Sequence, residues 1–367
     1  MLAALLVAFS FMPDGHGLPP KPPPAPEKPY FVAGMQRIVP VDKLGFNPIE
    51  TATPVMDQAQ TRLYLATHDG AVRCIFNGKP SWVIQTEGGV LAAPILDSET
   101  LYVAGGDGSV YALNRFTGAT RWSVDLNEEL TTSPTLSDGR LFVMSSGQSV
   151  TALDAKDGKR LWKFHRDPPG GFTIRGDARP VVAGGILYAG FADGTVAALG
   201  AADGAAKWTR AVSGVGDYLD VDWIEAPEGD GHIYVASAKA GILALDTGTG
   251  DTAWSYALIG ANHVLVEGTR IIAGGRSAVV ALGRASGKAL WTLNIGKDRY
   301  PTQPVVMSGM VLVAADRGSL LMVDEQTGEA RSAFDPGTGF SQPVLAVHGA
   351  AYAISNGGAL YSIGLAP

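Results

Sequence analysis

The chain has 367 residues, of which 46% are hydrophobic and 17% charged, and its formal net charge is -7. An acidic chain without a basic cluster cannot track a phosphate backbone, so nucleic acid is a poor partner. Its single cysteine excludes an internal disulfide framework. Cys74 lies in the alternating stretch AVRCIF, which predicts a small buried side chain.

Two segments precede the folded part of the chain. Residues 1–16 include MLAALLVAFSFM, which is too short to cross a bilayer as a helix but has the length of a signal-peptide core. No Lys or Arg precedes this run and no clean cleavage site follows it, so a misassigned start codon is the alternative. Proline is dense in residues 17–29, which predicts an extended linker. We expect the folded domain in residues 30–367.

From Ile49 onward one pattern recurs. Its clearest copy, AAPILDSETLYVAGGDGSVYALNRFTGATRW (residues 92–122), contains four short strand-like stretches separated by Gly-containing turns. Such spacing without a sustained 3.6-residue period predicts an all-β fold. The apolar strand that begins LY starts eight times at intervals of 38 to 46 residues: Leu63, Leu101, Leu141, Leu187, Ile233, Ile271, Val311 and Ala351. Four-stranded blades have this period, so the sequence predicts an eight-bladed β-propeller.

A tryptophan ends six of the repeats, each four residues after a glycine. These residues are Trp82, Trp122, Trp162, Trp208, Trp254 and Trp291. One blade cannot bury both of its faces alone, so we expect each Trp to lie on an outer strand and fill the gap to the next blade. Truncating such a buried aromatic costs about 3–5 kcal/mol. The seventh repeat has Ser332 at this place, which predicts weaker docking there.

Closure of the ring is also predicted from the two ends of the folded domain. The last repeat stops after GGALYSIGLAP and lacks its fourth strand, whereas residues 30–42 (YFVAGMQRIVPVD) belong to no repeat. The simplest closure has this segment supply the missing outer strand, so that the two termini hold the ring together.

The repeat resembles the quinoprotein-type propeller repeat and, without a Trp-Asp dipeptide, not the WD40 repeat. That type occurs in PQQ-dependent dehydrogenases, in extracellular sensor modules and in the BamB family of the outer-membrane β-barrel assembly machine. The dehydrogenases carry a vicinal cysteine pair, which one cysteine cannot form. The histidines have no metal-binding spacing: His16, His68, His165, His232, His263 and His348. We expect no catalytic residues, cofactor or metal. A periplasmic PQQ-dependent dehydrogenase or cofactor-binding propeller is the alternative, and a sensor or adhesion propeller is a third.

Two loop sequences extend the resemblance to the BamB family. FTIRGDARP stands where that family has Leu-Ser-Leu-Arg-Gly-Glu, and YLDVDW stands where it has Ser-Asp-Val-Asp. Both lie in the longest connections of the chain, each before the proline of the next inner strand, Pro180 and Pro227. Extra residues at equivalent points of adjacent repeats form loops on one face, so we expect the two loops side by side.

By this resemblance the two loops bind a POTRA domain of BamA. The resemblance implies a non-catalytic scaffold at the periplasmic side of the outer membrane, with other assembly subunits and nascent outer-membrane proteins as further partners. The predicted partner-binding residues are Phe172, Ile174, Arg175, Asp220, Asp222 and Trp223. The alternative is a solvated loop whose charges pair locally. The tripeptide Arg-Gly-Asp within the first loop lacks the structural context of an integrin-binding motif.

Each predicted residue has a chemical role at such a surface. Arg175 can bind a carboxylate through two hydrogen bonds, and the preceding apolar residues supply contact area. Asp220 and Asp222 alternate in an extended segment, so we expect them to point to one side and either receive basic partner residues or hold Arg175. Trp223 is either an exposed anchor or packs under its own loop.

The sequence departs from the BamB pattern at one place. Members of that family usually have a cysteine at the end of the signal peptide, which takes the lipid. No cysteine precedes Cys74 here. We therefore expect either attachment to the membrane through partners alone or a processed N-terminus that differs from the one given.

Overall fold

The computed structural model describes residues 30–44, 48–167, 178–214, 219–315, 318–347 and 349–365. The predicted signal peptide and linker lie outside the described residues. The described part of the chain contains thirty-two strands in eight four-stranded antiparallel sheets and a 3₁₀ turn at Val41–Lys43. None of its helices has the length and hydropathy that crossing a bilayer requires. The predicted all-β, eight-bladed propeller is confirmed.

The strands follow one another blade by blade. The first, β1 (Tyr30–Arg37), belongs to the last blade. Blades one and two contain β2 (Val55–Met56), β3 (Arg62–Ala66), β4 (Ala71–Phe76), β5 (Lys79–Gln85), β6 (Ile95–Leu96), β7 (Thr100–Ala104), β8 (Ser109–Asn114) and β9 (Thr120–Asp125). Blades three and four contain β10 (Thr135–Ser137), β11 (Arg140–Ser145), β12 (Ser149–Asp154), β13 (Arg160–His165), β14 (Val181–Ala183), β15 (Ile186–Gly190), β16 (Thr195–Gly200) and β17 (Ala206–Ala211).

The second half of the ring has the same order. Blades five and six contain β18 (Val221–Glu225), β19 (His232–Ser237), β20 (Gly241–Asp246), β21 (Thr252–Tyr256), β22 (His263–Glu267), β23 (Arg270–Gly275), β24 (Ala278–Gly283) and β25 (Ala289–Asn294). Blades seven and eight contain β26 (Val305–Met307), β27 (Met310–Ala314), β28 (Leu320–Asp324), β29 (Ala330–Phe334), β30 (Leu345–Val347), β31 (Ala350–Ile354) and β32 (Ala359–Leu365).

Burial explains the strand sequences. The second and third strands of a blade are covered on both faces by the neighbouring blades, so their residues are almost all apolar. In β11 five of the six residues are buried, whereas the outer strand β13 alternates between exposed and partly buried residues. Each predicted LY strand is the second strand of its blade, as the repeat indicated. Cys74, in the third strand of blade one, is 1% exposed.

The ring closes as the two ends of the repeat array predicted. Strand β1 pairs antiparallel with β32, from Tyr30 opposite Leu365 to Arg37 opposite Ala359. The N-terminal strand is thus the outer strand of the blade whose other three strands are C-terminal. Since this chain has no disulfide to join its ends, the strand pairing and the packing around it hold the ring shut.

The inner strand of blade five differs from the sequence prediction. In blades one, two, three, four and seven the inner strand begins directly after a proline, and Pro227 predicted the same for blade five. Instead β18 ends at Glu225, and the carbonyl of Pro227 accepts a hydrogen bond from the Asp230 amide within the turn that follows. The reason is the pairing register. Glu225 lies opposite Tyr234, whose counterpart in blade four, Tyr188, pairs with the first residue of the inner strand. In blade five the inner strand extends upstream from this pair.

Six of the contacts between neighbouring blades, which we call joints, contain a tryptophan from the outer strand. Each indole Nε1 donates a hydrogen bond of 2.9–3.2 Å to a backbone carbonyl of the next blade: Trp82 to Arg115, Trp122 to Ala155, Trp162 to Ala201, Trp208 to Thr247, Trp254 to Arg284 and Trp291 to Glu325. Each ring also lies against the turn glycine of that blade, so closely that an added Cβ would be 2.5–2.8 Å from it. This geometry fills the wedge between the blades.

The joint between blades seven and eight has Ser332 instead of tryptophan. Blade eight has no turn between its third and outer strands, because those strands are the two ends of the domain. A tryptophan at position 332 would therefore find no turn glycine to lie against. Aromatic rings two residues further along take over the packing: Phe334 lies 6.0 Å from Phe340 and 5.1 Å from Tyr361, between ring centroids.

Candidate functional site: the axial ring

A cavity of about 440 Å³ lies where all eight blades meet. Each blade contributes the residue two positions before the inner-strand residue that pairs with the second residue of its LY strand. We call this set the axial ring: Thr53, Ala93, Ser133, Arg179, Trp223, His263, Gln303 and Pro343. These residues stand at the beginning of the inner strands, so the cavity opens on the face that carries the long connections between blades.

Three consecutive blades give the axial ring its chemistry. Blades four, five and six supply Arg179, Trp223 and His263, whereas the other five positions are small or uncharged. The His263 ring meets the Trp223 indole edge-on, with 5.0 Å between centroids. The Arg179 guanidinium carbon lies 5.8 Å from the indole centroid, within range of a cation–π contact. The indole therefore holds a cation on one side and an imidazole on the other.

A fourth residue, Glu225 at the end of β18, belongs to this cluster. Its carboxylate Oε1 accepts a hydrogen bond of 3.2 Å from the Trp223 indole. Burial raises the pKa of Glu225, while the charge of Arg179 and the hydrogen bond from Trp223 oppose that rise. The side chain thus fixes the orientation of the indole and places an acidic group within electrostatic range of Arg179.

His263 is held neutral by its surroundings. Its Nδ1 has no exposed surface and no hydrogen-bond partner, although part of the residue is exposed to the cavity. Desolvation lowers its pKa to about 4. The ring therefore stays uncharged at neutral pH, and Arg179 is the positive group of the axial ring.

The two aspartates of the second predicted loop lie in different environments. Asp220 is completely buried, so its carboxylate is not presented to a partner. Asp222 is half-buried, lines the cavity and accepts a hydrogen bond of 3.0 Å from the Ala238 amide. A bulge between Val221 and Trp223 interrupts the alternation on which the expected common orientation rested. Trp223 lies in β18 rather than in a loop, half-buried against the apolar core of blades five and six.

The remaining predicted partner-binding residues, Phe172, Ile174 and Arg175, lie outside the described residues. The described ends of the two long connections do lie together. Ala178 and Val221 belong to one buried cluster and both pack against Gly190, which leaves no room for a side chain there. The described ends of the two connections are therefore adjacent, in agreement with their equivalent repeat positions.

Arg179, Glu225 and His263 were not predicted as site residues. His263 had no neighbouring metal-type residue in sequence, and Arg179 stood next to a more conspicuous motif. The signal that unites Arg179 and His263 with Trp223 is their equivalent place in the repeat, with successive spacings of 44 and 40 residues. That place becomes visible only when the strand pairs are known, because the proline that marks it elsewhere is displaced in blade five.

A protein-family model described as outer membrane protein assembly factor BamB matches residues 47–115, 65–220 and 218–366. BamB from Moraxella catarrhalis superposes with a TM-score of 0.79 and 22% identity, over 91% of this chain and 99% of that chain. Comparison with curated proteins gave no match.

Other propellers superpose as well. Quinohemoprotein alcohol dehydrogenase from Comamonas testosteroni matches with a TM-score of 0.70 and 13% identity, over 91% of this chain and 76% of that chain. The computationally designed Ika8 protein matches with a TM-score of 0.69 and 15% identity, over 89% of this chain and 99% of that chain. At these identities the structural likenesses show a shared fold.

Proposed function

The chain belongs to the family of outer membrane protein assembly factor BamB, and from this premise we propose that it is a non-catalytic scaffold of outer-membrane protein assembly. The observation that carries the proposal is the family match, which extends from residue 47 to residue 366 and so includes strands of all eight blades. In this proposal the protein acts in the periplasm at the inner face of the outer membrane, and its partner is a BamA-like protein with POTRA domains.

The proposed docking surface lies on the face that carries the axial ring. It combines Phe172, Ile174 and Arg175 of the first connection with Asp222 and Trp223 of the second. Two features support it: the adjoining ends of these connections, and the unsymmetrical placement of the charged and aromatic axial-ring residues in the same blades. An aromatic anchor beside an arginine is the composition that dominates protein interfaces.

Asp220 takes a positioning role in this proposal. Of the two roles expected for the aspartates, direct contact with a partner requires an exposed carboxylate, which Asp220 does not have. A fully buried carboxylate is stable only when cations or hydrogen-bond donors surround it. We therefore assign Asp220 to holding the second connection in place, and assign contact with the partner to Asp222.

The enzymatic alternative fits the residues poorly. A PQQ-dependent dehydrogenase needs a vicinal cysteine pair, and this chain has one cysteine. The described residues include no group of three His, Cys, Asp or Glu side chains that could hold a metal ion. We therefore propose no reaction. Incubation with PQQ and calcium, followed by an absorbance scan and a dye-linked dehydrogenase assay, would overturn the scaffold proposal if activity appeared.

The decisive experiment is co-purification of the BamA-like partner with Arg175→Glu. Reversing the charge of half of a buried charged pair costs about 2–5 kcal/mol of binding, so we expect the partner to be lost. The matched control is Arg121→Glu, since Arg121 is exposed on outer strand β9 of blade two, a strand that adjoins neither connection, and pairs with Glu99 at 2.9 Å. This control should retain the partner.

Three results would contradict the proposal. One is retention of the partner by Arg175→Glu, and another is the absence of any POTRA-containing protein from the wild-type preparation. A third is unfolding of Arg175→Glu, judged by far-UV circular dichroism, because Arg175 would then be a structural residue rather than a contact.

A further inference from the structure

The joint between blades eight and one, which we call the closure joint, has the parts of a tryptophan-docking site but no tryptophan. In blades one to six the docking tryptophan lies opposite a defined residue of the third strand, such as Ala112 opposite Trp122. The corresponding pair in blade eight is Ser362 and Gly34 of β1. Glycine therefore stands at the register position that tryptophan occupies in six blades.

The apolar surfaces that receive an indole elsewhere are all present at the closure joint. On the blade-eight side Tyr352 occupies the LY position, whose aromatic ring lies 5.7–6.0 Å from the docking tryptophan in five joints. On the blade-one side Leu63 and Ile75 take the places of Leu101 and Leu113, which Trp82 covers in the next joint.

The described chain covers Leu63 and Ile75 less fully than it covers their counterparts in blade two. Leu63 and Ile75 keep 6% and 7% of their surface exposed, whereas Leu101 and Leu113 are at 0%. Met35, the neighbour of Gly34, does not fill the space, because its side chain is 62% exposed. The result is an open cavity of about 300 Å³.

The polar part of a docking site is present as well. In blade two the Arg115 amide donates a hydrogen bond to the Glu99 carbonyl. The Asn77 amide donates the equivalent hydrogen bond to the Thr61 carbonyl in blade one, so Asn77 stands where Arg115 stands in blade two. The Arg115 carbonyl is the acceptor for the Trp82 indole. In blade one the turn is shortened to Asn77-Gly78, with φ of 48° and 74°, and a Cβ on Gly78 would meet no atom within 4 Å.

We propose that the closure joint is a binding site for the indole side chain of a tryptophan on another polypeptide. The volume is sufficient, because an apolar cavity of about 150 Å³ already binds benzene. The chemistry follows from the six filled joints, where the same combination of aromatic ring, leucine-type residues, turn glycine and carbonyl holds an indole. The seven tryptophans of this chain are engaged in six joints and in the axial ring, so the occupant comes from a different chain.

This site is separate from the proposed BamA-binding surface. Its lining includes the turn between the first two strands of blade one and the turn between the last two. Those turns lie on the face of the ring opposite the long connections, because successive strands are antiparallel. Loss of one binding activity would therefore leave the other intact.

The test uses the full chain labelled with ¹³C at its methionine methyl groups. Met35 and Met56 line the cavity, and Met144 is fully buried in blade three. Titration with N-acetyl-L-tryptophanamide should produce saturable ring-current shifts at Met35 and Met56 and none at Met144. N-acetyl-L-alaninamide should shift none of the three, and Arg175→Glu should bind the indole probe as the wild type does.

Gly34→Trp supplies the blocking variant and Gly34→Ala its control. A Cβ on Gly34 would make one tight contact, 3.1 Å from the Ser362 hydroxyl at the end of a rotatable side chain. Both substitutions make this contact, so Gly34→Ala controls for it. Gly34→Trp should fill the cavity from within and raise the dissociation constant of the probe at least about tenfold. Gly34→Ala should bind as the wild type does.

Several outcomes would overturn the proposal. These are no saturable shift in the wild type, an equal shift at Met144, or unchanged probe binding by a folded Gly34→Trp. If Gly34→Trp does not fold, the proposal is tested on the wild type by measuring intermolecular nuclear Overhauser effects between the probe and the protein. Contacts between the probe's indole protons and the Met56 methyl group support the site, and their absence at saturation refutes it.

Discussion

The packing of a tryptophan against a turn glycine can be tested by adding one methyl group at Gly158. This glycine has a φ of 75°, and a Cβ there would lie 2.6 Å from Cε3 of Trp122. Gly139, in the same blade, has a φ of 70° and open space around the added Cβ. Alanine at either position adopts the left-handed conformation at a cost of about 1–2 kcal/mol. Only at Gly158 does overpacking against a rigid indole add about 1–3 kcal/mol.

We therefore expect Gly158→Ala to lower the free energy of unfolding by roughly 2–5 kcal/mol and Gly139→Ala by about 1–2 kcal/mol. Equilibrium urea unfolding followed by far-UV circular dichroism measures both. Trp122→Ala alone should cost about 3–5 kcal/mol. In that background Gly158→Ala should cost no more than Gly139→Ala, because the colliding ring is gone. Equal costs for the two glycines in the wild type, or additive costs in the double variant, would refute the docking geometry.

Two further predictions follow from buried titratable groups. Desolvation lowers the pKa of His263 to about 4. Between pH 6.5 and pH 4 the unfolded chain therefore binds a proton at this residue and the folded chain does not. Stability from this group is present above pH 6.5 and is lost as the pH falls toward 4, by at most about 3 kcal/mol. Urea unfolding should show that His263→Gln loses less stability over this range than the wild type, and parallel curves would contradict this. Burial also raises the pKa of Cys74 to about 11, so iodoacetamide at pH 8 should label the thiol far more slowly in the native chain than in urea. Equal labelling rates would show that Cys74 is accessible.

The architecture was predictable because its evidence is local and repeated. The LY strand, the Asp-Gly hairpin and the Gly-to-Trp spacing each use residues close together in sequence, and their recurrence at 38 to 46 residues identifies the blade. Ring closure followed from an unmatched strand at each end, and β1 pairs with β32 as predicted. The position of Cys74 followed from simple alternation within one strand.

The candidate site was predictable only in part, because it depends on register across the ring. Trp223 and Asp222 were selected by motif, but their surroundings were not, since blade five extends its inner strand upstream of the proline that marks the strand elsewhere. The burial of Asp220 likewise depends on neighbours that are distant in sequence. Arg179, Trp223 and His263 become one cluster only through eightfold stacking around the axis.

The sequence by itself therefore determined the number of blades, the strand order and the tryptophan positions, because short-range alternation and turn chemistry encode them. The tertiary structure alone decided which residues meet at the axis and which joint is left without an indole. Both depend on how strands from different repeats align. A shift of one or two residues in one blade, or a glycine at one register position, changes a site without changing the repeat that predicts the fold.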